Sequence, residues 1–242
     1  MRRYAGAAIA IIFFAFSIGI FMQLASYNDY ERSNYYYKNP VNGSLANESV
    51  PSHYIKETKN ETGAINAVTA IVVEYRGFDT LGEVTVLFTS ATGVSFLLYH
   101  VYKKLKKREA NLILKEGSKL VLPFALLTGA YIFIHGHLTP GGGFPGGSII
   151  ASGFLLMMLA YPEFFVREKS LSYSESMAGS IFVIIGLLGL LFATSFLQNF
   201  IPVGKPGYLL SAGIIPLIYI AIGFKVGSEL SSIVQKLKEV EK

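Results

Sequence analysis

The sequence predicts an all-α integral membrane protein: six transmembrane helices, both termini on the cytoplasmic side (N-in/C-in), and a short interfacial helix on the outer surface. Three observations lead there. The apolar residues, 52% of 242, are gathered in blocks rather than spread with a soluble period, and blocks of about 20 residues span a hydrocarbon layer. Charged residues are only 15% of the chain, where a soluble domain carries about a quarter. The stretch "YKKLKKR" (Tyr102 to Arg108) directly follows an apolar block, where basic residues set membrane orientation. The net charge of +5 is therefore a membrane signal and not a nucleic-acid footprint.

The first apolar run is Tyr4 to Ala25, behind Arg2 and Arg3. It is long for a signal-peptide core and lacks a clear small-x-small cleavage site, so it reads as an uncleaved span. The polar segment from Ser26 to Thr62 follows, with sequons at Asn42, Asn47 and Asn60 and the aromatic cluster "NYYYK". It is expected outside, where sequons can be modified and aromatic side chains suit the membrane interface; Asn-rich loops also produce sequons by chance. "TGAINAVTAIVVEYRG" is too short to cross and carries a polar stripe at Thr62, Asn66 and Thr69, which predicts the interfacial helix. The second span is Thr80 to Val101, the third about Gly117 to His135, the fourth about Gly146 to Tyr161. The fifth is about Met177 to Leu197 and the sixth about Leu209 to Gly227. This layout places most of the 21 lysines and arginines inside, among them the basic segment 103–119, Arg167, Lys169, Lys225, Lys236 and Lys238, as the positive-inside tendency requires.

Enzymatic chemistry finds little support. The chain has no cysteine, which excludes disulfides, thiolate zinc sites and iron–sulfur ligation. His135 and His137 offer two metal ligands with no carboxylate near them in sequence, fewer than a metal site uses. Hydrogen bonding at a helix mouth is the plainer reading of both. Motifs for hydrolases, zinc proteases and nucleotide loops are absent. No cofactor is expected.

The informative charges lie in "VEYRGFDTLGEVTVLFTSATG". Glu74, Asp79 and Glu83 gather at the outer end of the second span with Arg76 among them. Glu83 is the one placed deepest, and a carboxylate in a span marks an ion or proton route by default. Ser90 falls on the same helical side two turns on, about 10 Å deeper. Thr85, Thr89 and Thr92 form another hydroxyl face. Thr80 and Glu83 also spell T-x-x-E, a capping box that would give Glu83 a structural task; the two readings are compatible.

The loop "HGHLTPGGGFPGGS" carries Pro140, Gly141, Gly142, Gly143, Pro145, Gly146 and Gly147 and no lysine. It is not a phosphate loop. Its glycines serve tight turns or backbone buried against protein, and Pro145 suits the first turn of the fourth span. A weak echo, "IPVGKPGYLLSAG", joins spans five and six. Gly179, Gly186 and Ala193, Gly223 with Gly227, Gly6 with Ala10, and Ala15 with Gly19 form small-residue faces for close helix packing, within the chain or against partners.

From about Leu112 onward, "TPGGGFPGGSIIASGFLL" resembles the signature loop and following helix of the B-type subunits of Mrp sodium/proton antiporters, the MnhB/MrpB family. That family often carries Gln at the position of Pro145, a local departure. "NAVTAIVVEYRGFDTLGEVTVLFTSATGV" is similar to the C-terminal part of the large A-type Mrp subunits. The chain thus resembles two adjacent Mrp subunits fused, with residues 1–108 as the A-like part and 109–242 as the MnhB/MrpB-like part. The resemblance implies a non-catalytic subunit of a multisubunit Na⁺/H⁺ antiporter module in the cell membrane. Its partners would be other Mrp-type subunits and a hydrogenase or sulfur-reductase module of an archaeal respiratory complex. It implies that Glu83, within the family's DTxGE motif, relays H⁺ or Na⁺. Asp79 belongs to the same motif, at a position that suits structure or the entrance. Glu74 is a further candidate, and Ser90 remains a candidate ligand from its place on the helix. The B-like half, read as lacking a membrane carboxylate, is expected to serve as helical scaffold and a wall of the ion path. The alternatives are a structural subunit linking antiporter and redox modules without moving ions, and a small independent transporter.

Overall fold

In the computed structural model, residues 50–98 and 110–240 are described, with positions 15 and 18. The chain forms two compact units, residues 1–55 and 56–242. The expected first span, the sequons at Asn42 and Asn47, most of the basic segment, and Gly6, Ala10 and Gly19 lie outside the described residues.

Every described element is helical. Helix α1 is Val50–Glu61, and a single turn α2, Ala67–Ala70, runs directly into a π-helical turn, Ile71–Tyr75. Five long helices follow: α3 Gly77–Leu98, α4 Leu112–Ile134, α5 Gly143–Ala160, α6 Glu168–Phe192 and α7 Ile215–Val240. All five are long and apolar enough to cross a bilayer.

Helix α7 is the axis of the second unit. It packs against α3, α4, α5 and α6, and 61% of its span is covered by the rest of the chain, against 11% for α3. Glycine makes the close approach possible. A Cβ on Gly147 of α5 would stand 2.8 Å from both the Gly223 carbonyl and the Gly227 amide of α7. A Cβ on Gly129 of α4 would stand 2.7 Å from the Gly146 carbonyl of α5. Among described positions, the small-residue pairs therefore turn toward the chain itself, where backbones approach closely.

Hydrogen bonds tie together the two ends of the bundle. At one end, Ile65 and Asn66 donate their amides to the His137 carbonyl at 3.0 and 3.1 Å. At the other, Lys238 donates to the carbonyls of Tyr161 and Phe164, and Val166 donates to the buried Gln235 side chain.

Two expectations need correction. The segment 62–77 is not a surface helix with its polar stripe toward water. Asn66 caps α2, Thr69 is buried and donates to the Gly136 carbonyl at 2.7 Å, and Thr62 is buried as well. Its outward residues are the apolar Ile65 and Val68 and, at its end, Arg76. The reason is that the Gly136 and Thr139 carbonyls of the glycine loop need donors, and the Asn66 and Thr69 side chains supply them.

The sixth span is also displaced. It starts at Ile215 rather than near Leu209, because the preceding residues form an irregular turn with the buried Ala212 at φ 66° and Gly213 at φ 54°. Left-handed backbone does not continue a right-handed helix. The shift moves Lys225 from the cytoplasmic end, where it was counted as an orientation charge, into mid-helix.

A candidate ion site at the head of the bundle

The π-turn sets the geometry of the acidic stretch. It ends at Arg76, whose non-helical backbone (φ −127°, ψ 48°) redirects the chain, and α3 then starts at Gly77. Gly77 is where α3 meets the segment after α6: a Cβ there would stand 2.8 Å from the Phe196 carbonyl.

Glu74 sits beside this junction, half-buried. Its carboxylate accepts the Asn199 side-chain amide at 2.7 Å and the Asn199 backbone amide at 3.3 Å. Asn199 in turn accepts the Ile214 amide at 2.8 Å, so one residue links Glu74 to the head of α7. Burial pushes the Glu74 carboxyl up from the ordinary 4.5 to about 7, opposed by the two Asn199 bonds and aided by the nearby Glu61 charge. Glu61 itself accepts the Tyr75 hydroxyl, and burial together with that bond holds the Tyr75 phenol above its usual range. A cleft of about 740 Å³ opens here, lined by Glu61, Glu74, Arg76, Asp79, Ser195 and Gln198 among others.

Because folding raises the Glu74 pKa, the folded state holds an extra proton between about pH 4.5 and 7. Stability from this source is fully present at the acid end and is lost as pH rises through that window. Glu74→Gln is expected to flatten the pH dependence of the thermal midpoint across it. An unchanged slope in the variant would show that Glu74 does not titrate there.

Asp79 pairs with Arg76 at 2.7 Å in an exposed position. Glu83 lies one turn deeper on α3, exposed, and Ser90 two turns deeper still, also exposed. Leu81, Val84 and Leu87 of α3 pack on the core. Thr85 and Thr89 donate back to the Leu81 and Thr85 carbonyls of their own helix. The capping box does not form: Thr80 is buried inside α3 and donates to the Val72 carbonyl at 2.6 Å. The structure thus brings Glu74 and Asp79 to one cleft and leaves Glu83 and Ser90 on the outward face of the same helix.

The glycine loop packs around Tyr219 of α7. A Cβ on Gly136 would stand 2.5 Å from that ring, and Gly142 takes φ +144° with the ring 3.1 Å from where its Cβ would be. Gly143 faces Ile222 in the same way, at 2.5 Å. The Tyr219 hydroxyl donates to Thr69 at 3.1 Å. Pro145 lies in the first turn of α5. His137 is buried beneath the loop, its Nε2 3.4 Å from the Tyr208 carbonyl, and burial holds its imidazole below the usual range. His135 stacks on Tyr131. Among the described residues, no three His, Asp or Glu side chains gather as a metal site would require.

Sequence reasoning missed three residues. Asn199 lies in a polar segment with no motif. Lys225 and Glu229 form an ion pair at 2.7 Å, 5% and 1% exposed, inside α7. This overturns the expectation that the C-terminal half lacks a membrane carboxylate. Their spacing of four, a helical pairing distance, was the available signal, but it was hidden by ending the sixth span at Gly227.

Comparison with known proteins agrees with this architecture. Residues 113–232 match the family described as a domain related to the MnhB subunit of Na⁺/H⁺ antiporters. Residues 1–110 match the MbhE family, described as one of the subunits of MBH. A chain in the structure of the membrane-bound sulfane sulfur reductase, an archaeal respiratory membrane complex, is 41% identical, with a TM-score of 0.71 over 92% of this chain and 97% of that one. An uncharacterized protein of Methanocaldococcus jannaschii is 29% identical over 93% of this chain and 88% of its own length. A probable K⁺/H⁺ antiporter A/B-type subunit of Rhizobium meliloti is 28% identical over 50% of this chain, which corresponds to 15% of that much longer protein. The chain belongs to the MnhB-related family of antiporter membrane subunits, with a segment of the MbhE family ahead of the MnhB-related domain.

Proposed function

We propose that this chain works as a non-catalytic subunit of a Na⁺/H⁺ antiporter module in an archaeal respiratory complex of the sulfane-sulfur-reductase type, and that Glu83 carries H⁺ or Na⁺ through it. The observation that carries the reading is the placement of Glu83. It is exposed on α3, a membrane-length helix of which the rest of the chain covers only 11%. A carboxylate is costly in lipid, so a neighbouring subunit or a water-filled path must cover that face. Ser90, on the same side, extends it by two turns. Asp79 and Glu74, at the cleft beside the head of α3, collect cations for it. Likeness to a sulfane sulfur reductase chain supports the parent complex, and the antiporter relatives support exchange as the activity. The fused organisation, divided near residues 108 and 109, is supported by the family matches that end at 110 and resume at 113. With both termini cytoplasmic, the Glu74 cleft and glycine loop open to the outside, and the segment 103–119 lies within.

The test is Glu83→Gln in the purified complex, reconstituted into liposomes with a Na⁺ gradient. Exchange is expected to fall at least about tenfold, in the range set by loss of a proton-transfer group, with all subunits retained. Exchange at the normal rate would instead make the chain a structural link between antiporter and redox modules.

A further inference from the structure

We propose that Lys225 and Glu229 form a second proton-exchange site, inside the bundle and reached through a cleft between α3 and α6. The inference rests on the antiporter reading above and adds a site in the MnhB-related half of the chain.

Depth comes first. Lys225 and Glu229 lie 10 and 14 residues beyond the start of α7 at Ile215, or about 15 and 21 Å along its axis. In a hydrocarbon layer about 30 Å thick that begins at the head of α7, Lys225 sits near the middle and Glu229 about two-thirds of the way across. Neither charge escapes to an interface: the pair is 5% and 1% exposed, at 2.7 Å.

A pair made only for stability would have all its oxygens bonded, because burying two charges gains little over apolar packing and a spare lone pair adds cost. Here the Glu229 Oε2 accepts Lys225, while the buried Oε1 has no hydrogen-bond partner. That atom is the open proton acceptor.

Access is through Lys225. Its side chain forms part of the wall of a cleft of about 550 Å³, with Glu175, Ser176 and Ser180 of α6 and Phe88 of α3. The Lys225 ammonium lies 5.5 Å from the centre of the Phe88 ring. The same side chain thus binds the buried carboxylate and forms part of the wall of the open cleft.

The number of free oxygens selects the ion. The charged and titratable groups around the pair are few. Glu175 stands on α6, close enough to act on the Glu229 charge. Helix α3 presents Phe88 there and carries Asp79 and Glu83 only toward its head. Helix α5 has no titratable residue, and α4 has Lys115, Glu116 and Lys119 in its first turns, at the opposite end from the glycine loop. A sodium ion requires several oxygen ligands, which the pair does not offer, whereas a proton needs one oxygen. The ammonium repels either cation and so must swing aside first.

The step balances simply. When Lys225 swings away from Glu229, a hydronium ion entering from the cleft behind it loses one O–H bond and becomes water, and Glu229 gains that proton as a neutral acid. Lys225 keeps its ammonium and, released from a charged partner, turns toward Glu175 across the cleft. Return of Lys225 to Glu229 expels the proton to water.

The experiment uses the purified complex in liposomes, with exchange followed by an internal pH dye. Glu229→Gln is expected to slow exchange at least about tenfold while the complex stays assembled. Lys225→Met/Glu229→Met removes both charges together and keeps the volume, so it provides an assembled form in which exchange stays slow. Gly179→Leu fills the cleft beside Lys225, since a Cβ there would meet only its stem, at 3.7 and 3.8 Å; it too is expected to slow exchange. An assembled double variant that exchanges at the wild-type rate overturns the proposal and leaves the pair a packing feature. Wild-type complex without any exchange would overturn the antiporter reading, and this inference with it. Normal exchange in the wild type and in the pair variants overturns this inference alone.

Discussion

Lys225→Met by itself is expected to destabilise the protein by about 3–5 kcal/mol, the cost of leaving one member of a buried ion pair without its partner. Glu229 is 1% exposed and has one oxygen already without a partner. With Lys225 gone, both oxygens lack a donor, and the side chain has no route to an interface from mid-helix. Protonation relieves part of the cost, so the loss should be larger at alkaline than at acid pH. Lys225→Met/Glu229→Met should recover most of the loss, because the two apolar side chains fill the same space without desolvating charge. Thermal unfolding in mild detergent at two pH values separates these outcomes. Equal stability of the single variant and the wild type would show that water reaches Glu229 freely.

The second large effect is expected at Gly147. A Cβ there meets backbone atoms of α7 on both sides, at 2.8 Å from the Gly223 carbonyl and the Gly227 amide. Backbone cannot rotate away as a side chain can, so the helices must part. Gly147→Ala should cost about 1–3 kcal/mol, and Gly147→Leu should prevent α5 from docking on α7. Parting them also withdraws the glycine loop from Tyr219 and exposes His137, so loss of assembly should accompany loss of stability. Gly117→Ala on α4, where a Cβ meets nothing within 4 Å, serves as the control. Pull-down of the complex through a tag on this chain reads both. A Gly147→Leu complex that assembles normally would refute the close contact.

Much of this architecture was legible in the chain. Apolar blocks of bilayer length announced the membrane helices, since only helices and closed barrels satisfy backbone hydrogen bonds in lipid. The acidic motif ahead of the second span singled out Glu74, Asp79 and Glu83, because charge at the edge of an apolar block is costly wherever it is not used. The glycine loop was recognisable as one built to be packed against something.

What packs against it was not legible. Tyr219 lies more than seventy residues beyond the loop, and nothing in local periodicity says that Gly136, Gly142 and Gly143 surround its ring and neighbour. The same limit applies to Asn199, which meets Glu74 across 125 positions of sequence, and to Thr69, whose polar side turns inward to a distant carbonyl. The helix boundary at Ile215 was set by an irregular turn closed on itself by long-range bonds, and that boundary decided whether Lys225 was an orientation charge or a buried one. Helical identity is fixed by neighbours within a few residues and by the solvent they require, so one sequence determines it. Which charges end up facing each other depends on close contacts between segments far apart in the chain, and only the tertiary structure decides those.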